Sequence, residues 1–153
     1  MSRIRLARPT IRRGEAVVTD AAALLDRTAQ IVAELGPVDR PDADSVVVQV
    51  GPTRASIRVL TLADGLDVLA LTQMVAMDLP NTPTLRDDVE ACAAQLSFGS
   101  LRRSDRAGVT TDVLQYYTFP ASQLDDVPLL TVLHIVLAAG VDAAERLVGP
   151  ASA

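Results

Sequence analysis

The chain has 153 residues, 49% hydrophobic and 22% charged, with a formal net charge of −5; this suits one globular domain able to cover a sheet. All 14 basic residues are Arg, which excludes a Schiff base, a P-loop lysine and a lysine general base, and the single cysteine excludes an intramolecular disulfide. Aromatics are only 3% and Trp is absent, so the acidic body has little surface for stacking bases and is not expected to bind nucleic acid.

Residues 1–14, MSRIRLARPTIRRG, hold Arg3, Arg5, Arg8, Arg12 and Arg13 and no acid, while the rest of the chain carries all 19 acids. Residues 1–18 are therefore assigned to a basic N-terminal arm and 19–149 to a single α+β domain. Such an arm suits RNA, anionic lipid or an acidic partner; its composition also resembles a transit peptide, and its plainest reading is a solvated terminus.

The first helix is predicted over AAALLDRTAQIVAELG, with Thr19 or Asp20 as cap. Its apolar face is Leu24, Ile31, Val32 and Leu35 together with Thr28, and its wet face is Asp26, Arg27, Gln30 and Glu34. Gly36 and Pro37 stop it, and PVDRPDAD follows as an acidic turn-rich loop.

Three strands come next. SVVVQV is β-branched, and RASIRVLTL alternates Ile57 and Val59 with Ser56 and Arg58. After the turn ADG, residues 66–79 do not alternate. Leu66, Val68, Ala70 and Met74 lie on one face and Leu69, Leu71, Val75 and Met77 on the other, so this strand is expected to be covered on both sides.

NTPTLRDDVEACAAQ predicts a second helix, capped by Asn81, Thr82 or Thr84, with Asp87, Asp88 and Glu90 near its positive end. Its apolar side is Leu85, Val89, Cys92 and Ala93, which makes Cys92 a small buried hydrophobe rather than a reactive thiol. A hairpin follows, with strands over 96–103 and 109–119 around SDRAG, placing Val109, Thr111, Val113, Tyr117 and Phe119 toward the core. Ser122, Asp125 or Asp126 then caps a last helix over VPLLTVLHIVLAAG, which VDAAERLVG extends or follows. At 14 residues its apolar stretch falls short of the roughly 20 that a bilayer needs, so a soluble, cytoplasmic protein without a membrane partner is expected.

The order α-β-β-β-α-β-β-α predicts an α+β fold with an antiparallel sheet of about five strands and three helices. That order, the Asn81-Thr82-Pro83-Thr84-Leu85 start of the middle helix, the hairpin FGSLRRSDRAGVTTDVLQYYTF and the final helix ending Glu145-Arg146-Leu147 resemble the YbjN-type family over about residues 20–148. The resemblance implies the fold of class I type III secretion chaperones, commonly dimeric, with a protein-binding or regulatory role and no established catalysis. No site residue is carried over from it.

Chemistry finds few footholds. His134 is the only histidine, and Leu130, Thr131, Leu137 and Ala138, one turn away, include no carboxylate to orient it. Ser100 lacks a nucleophile elbow, and one His and one Cys cannot build a zinc site, so no metal or cofactor is expected. Asp87/Asp88 and Asp125/Asp126 are expected to serve helix starts rather than acid–base work. Arg102, Arg103 and Arg106 are the one basic group in the body and a candidate anion contact.

Two-sided apolarity is the strongest positive signal, because a second apolar face needs a second partner. The expected surface for a homodimer seam or a bound protein segment is Leu69, Leu71, Met74, Val75, Met77 and His134. A non-enzymatic, chaperone-like or adaptor protein is the leading reading, with a small-ligand sensor or enzyme using an Arg/carboxylate pocket as the alternative.

Overall fold

The computed structural model describes residues 17–149. The Arg residues of the N-terminal arm lie outside that range, and helix α1 (Val17–Val32) begins inside the segment assigned to the arm. Thr19 and Asp20, expected as caps, fall within the helix. Leu24, Leu25, Ile31 and Val32 form its buried stripe, and Thr28 satisfies its own hydroxyl by donating to the Leu24 carbonyl at 2.7 Å. After the helix, Gly36 passes so close to the Gln49 carbonyl that a Cβ there would overlap it.

The loop predicted at 37–44 is instead an edge strand, β1 (Val38–Asp42), paired antiparallel with β2 (Ser45–Val50). Its charge and its proline hide it from pattern reading, yet Pro41 is tolerated because an edge strand needs hydrogen bonds on one side only. With β3 (Thr53–Ala63), β4 (Leu66–Pro80), β5 (Ser100–Arg103) and β6 (Thr110–Pro120) the sheet has six strands rather than about five, in the order β1-β2-β3-β4-β6-β5, antiparallel throughout. The element order is α-β4-α-β2-α.

Thr82 caps α2 (Pro83–Ala94), its side chain accepting from the Leu85 amide at 3.1 Å, and Pro83 takes the first position, where no amide hydrogen is needed. Asp87, Asp88 and Glu90 fall beyond the first turn, so the expected support of the helix start is absent. β5 is half the expected length, and Val109 is 91% exposed rather than core-facing. Thr111, Val113 and Phe119 do face inward, with Tyr117 half-buried and stacked on Phe119 at a centroid distance of 5.0 Å.

The last helix, α3 (Asp126–Val148), runs 23 residues without a break at Gly140. By length and composition alone the full helix is long and apolar enough to cross a membrane, which its first 14 residues are not. Here it buries Leu129, Leu133, Val136, Leu137, Gly140, Ala143 and Ala144.

All three helices lie on one side of the sheet. Leu69 and Leu71 pack there with α1 and α3, and Val75 packs with Val89, Cys92 and Ala143 in a second cluster that includes α2. Val68, Ala70, Thr72 and Met74 point the other way, to a face that no helix covers among the described residues. Among the described residues the helices thus cover β4 on one side, as in many antiparallel sheets, while Val68 on the other side is only 3% exposed.

Candidate functional site

β4 outruns its neighbour. Its register with β3 ends at Arg54↔Met74, while along β6 it continues to Pro80↔Thr110 through shifts after Met74 and Ala76. Between them the backbone turns at Asp78 (φ 52), whose amide donates to the Asp112 carboxylate at 2.9 Å. From Val75 onward β4 therefore has β6 on one side and, among the described residues, no strand on the other.

The space beside that free edge is a groove of about 1080 Å³, bounded by the turn at Pro52 and the last turns of α3. Met74, Val75, Ala76, Met77 and Val148 supply apolar lining, and Asp142, Glu145 and Arg146 supply charge. Its volume lies just above the usual range of about 300–1,000 Å³ for small-ligand pockets.

A buried amide pair sets the position of α3 over this end of the sheet. Gln73 Nε2 donates to Thr53 Oγ1 at 2.8 Å and to the Leu137 carbonyl at 3.1 Å. Gln115 Nε2 donates to Gln73 Oε1 and to the Val136 carbonyl, both at 2.8 Å. Helix carbonyls accept these extra bonds because each oxygen has two lone pairs. Gln115 Oε1 is buried with no partner. Neither glutamine was anticipated, although a polar residue inside an apolar strand is itself a signal.

Of the expected partner surface, the structure gathers Met74, Val75 and Met77 into the groove. Leu69 and Leu71 are 0% and 2% exposed, so they are core rather than docking residues. His134 is exposed on the outer side of α3, away from the groove. Asp142 and Glu145 were not singled out, because on a helical pattern they are ordinary wet-face residues.

The arginine group does not converge. Arg102 stacks over Tyr116 at 5.8 Å on the open sheet face, Arg103 donates to Asn81 Oδ1 at 2.7 Å, and Arg106 is exposed in the hairpin turn. Asn81 in turn donates to the carbonyls of Asp105 and Gly108, so Arg103 braces the turn. That arrangement corrects the shared anion clamp.

Carboxylates with displaced pKa values also serve turns. The Ala107 and Gly108 amides hold Asp105 below its usual range, and the Ser45 hydroxyl, then the Asp44 amide, do the same for Asp42. Asp126 pairs with Arg27 at 3.3 Å, and Asp125 occupies the cap position of α3 without a side-chain hydrogen bond. Cys92 is buried, and among the described residues no three His, Cys, Asp or Glu side chains group to hold a metal.

No family model matches the chain, and no curated protein matches it.

Proposed function

We propose that the chain is a non-catalytic protein-binding module, chaperone-like or adaptor in use, that holds an extended apolar segment of another protein in the groove beside β4. One observation carries this reading: Met74 and Met77 line an open groove, with the buried Val75 beneath them, next to a strand edge that has no neighbour among the described residues. An unpaired edge can take another strand by backbone hydrogen bonding, while side chains on alternate positions enter the groove. Methionines suit such a surface because their flexible thioethers adapt to varied shapes. Asp142 and Glu145 against the single Arg146 favour a segment that carries Arg or Lys beside its apolar residues. The α-β4-α-β2-α order is compatible with a secretion-chaperone-like architecture of the YbjN type, and that closer assignment is part of the proposal.

The test is fluorescence anisotropy with labelled 12-residue peptides of alternating apolar residues, flanked by Arg, by Glu or broken by Pro. The Arg-flanked peptide is expected to bind, the Pro-broken one to fail, and Met77→Asp or Glu145→Arg each to weaken binding by about tenfold or more. Binding unchanged in Met77→Asp, or absent across the panel, overturns the reading.

A further inference from the structure

The arm that precedes α1 has the chemistry that suits the groove beside β4. Residues 3–8 read Arg-Ile-Arg-Leu-Ala-Arg, and in an extended chain Arg3 and Arg5 fall on one side and Ile4 and Leu6 on the other. The groove is two-sided in the same sense. A register shift between Met74 and Ala76 puts Val75 and Ala76 together in the cluster under the helices, so Met74 and Met77 flank them on the opposite side of the edge. Asp142 and Glu145 stand on the helix side, on the last turns of α3, where the carbonyl end of the helix dipole adds negative charge.

We propose that residues 3–8 of the same chain occupy this groove as a strand added along the free edge of β4, and that a partner segment must displace them. Ile4 and Leu6 lie beside Met74 and Met77, and Arg3 and Arg5 lie toward Asp142 and Glu145. This occupancy rests on the proposed preference of the groove for extended apolar segments with Arg, and supplies its regulation. Pro9 ends the added strand, since it has no amide hydrogen to give to a ladder. The other segment outside the described residues, Pro150, Ala151, Ser152 and Ala153, has neither charge nor a large apolar side chain with which to fill the groove. A second copy's arm offers the same chemistry, but the tether gives the chain's own arm an effective concentration on the order of millimolar.

The arm is long enough. Ala21, Ala22 and Thr61 line one small cavity near the start of α1, and Pro52 bounds the groove, so the two sites lie about 30 Å apart along β3 at roughly 3.4 Å per residue. From Val17 back to Leu6 the extended chain covers about 36 Å, and back to Arg3 about 46 Å. The apolar pair of the arm therefore reaches the groove with several ångströms to spare.

Disulfide trapping in the full chain tests the contact; Cys92 is buried and does not compete. Leu6→Cys with Met77→Cys is expected to cross-link within one chain, at the single-chain mass of 16.2 kDa, about fivefold or more faster than Leu6→Cys with Val127→Cys. Val127 is 76% exposed at the start of α3, whose Asp126 pairs with Arg27 of α1, so an undocked arm meets it at least as readily. Equal rates overturn the proposal, as does cross-linking only between copies, which would seat the arm in a second copy's groove.

Binding of the Arg-flanked peptide supplies the second measure. Ile4→Asp with Leu6→Asp is expected to bind it about fivefold or more tighter than wild type, because apparent affinity falls with the fraction of grooves left vacant. Arg3→Glu with Arg5→Glu is the second arm variant, and circular dichroism confirms that each is folded. Equal affinity in wild type and both arm variants overturns the arm's role and leaves the groove reading standing. Trapping at Met77 with no peptide bound, even by the arm variants, upholds the arm contact and overturns the partner reading instead.

Discussion

The side-chain amide of Gln73 occupies the space that a Cβ on Gly140 would fill. The glycine therefore lets a polar side chain of β4 reach the backbone of α3 in the middle of the core, where Gln73 bonds the Leu137 carbonyl. The same approach explains how a 23-residue helix carries a glycine without breaking. Its neighbours in the sheet require it to be small.

Gly140→Ala is expected to destabilise the protein by about 2–3 kcal/mol despite alanine's higher helix propensity, because the overlap forces Gln73 or α3 to shift. Urea unfolding followed by circular dichroism checks this. A variant as stable as wild type or more so would show that propensity outweighs the contact.

Gln73→Leu and Gln115→Leu are each expected to cost about 1–3 kcal/mol, since each removes buried hydrogen bonds: in the first case Thr53 Oγ1 loses its donor and keeps only its bond to the Val50 carbonyl, and in the second Gln73 Oε1 loses its donor. The double variant is expected to cost less than the two together, because it removes both sides of the shared bond and the orphaned Gln115 Oε1. A double-mutant cycle by chemical denaturation measures the difference. Strict additivity would mean that the pair does not act as a unit.

Substitutions along β4 are expected to separate sharply. Leu71→Asp places an unpaired carboxylate in a site only 2% exposed and should cost more than about 4 kcal/mol, enough to leave little folded protein. Met77→Asp changes a side chain that is 65% exposed and should leave stability within about 0.5 kcal/mol of wild type. Thermal melting of both variants makes the comparison.

Asp105 has its folded-state pKa depressed, first by the Ala107 amide and then by the Gly108 amide. A depressed carboxylate contributes stability above its unfolded pKa and loses that contribution as pH falls through the folded value. Asp105→Asn is thus expected to be less stable than wild type near about pH 6 and to converge with it as pH falls through the depressed folded-state value. The difference should be small, because the carboxyl is on the surface and salt screens it. Denaturation midpoints across that range read it directly, and parallel curves would remove the assigned role.

Much of the fold was legible in the residues. The three helices, the strands at 45–50, 54–62, 66–79 and 109–119, and a cap among Asn81, Thr82 and Thr84 follow from apolar period and turn chemistry, which act within a few residues; that Thr82 is the one was decided by the fold. β1 was not legible, because its sequence VDRPD has neither β-branched density nor alternation, and it is a strand only because β2 lies beside it. Met74, Val75 and Met77, singled out by their apolarity, line the groove. Leu69 and Leu71 were misassigned for the same reason, since an apolar residue has the same pattern whether it covers a core or awaits a partner.

What the sequence alone determined is every element but β1, and the order of those elements, because hydrophobic period, caps and breakers are local. Tertiary structure alone decided which face of β4 the helices cover, where β3 stops short of β4, and why Gln73, Gln115 and Gly140 belong together. A period of two divides a strand into two faces without saying which will meet a helix. A buried amide is favourable only once helix carbonyls 64 and 21 residues away have been brought within bonding distance.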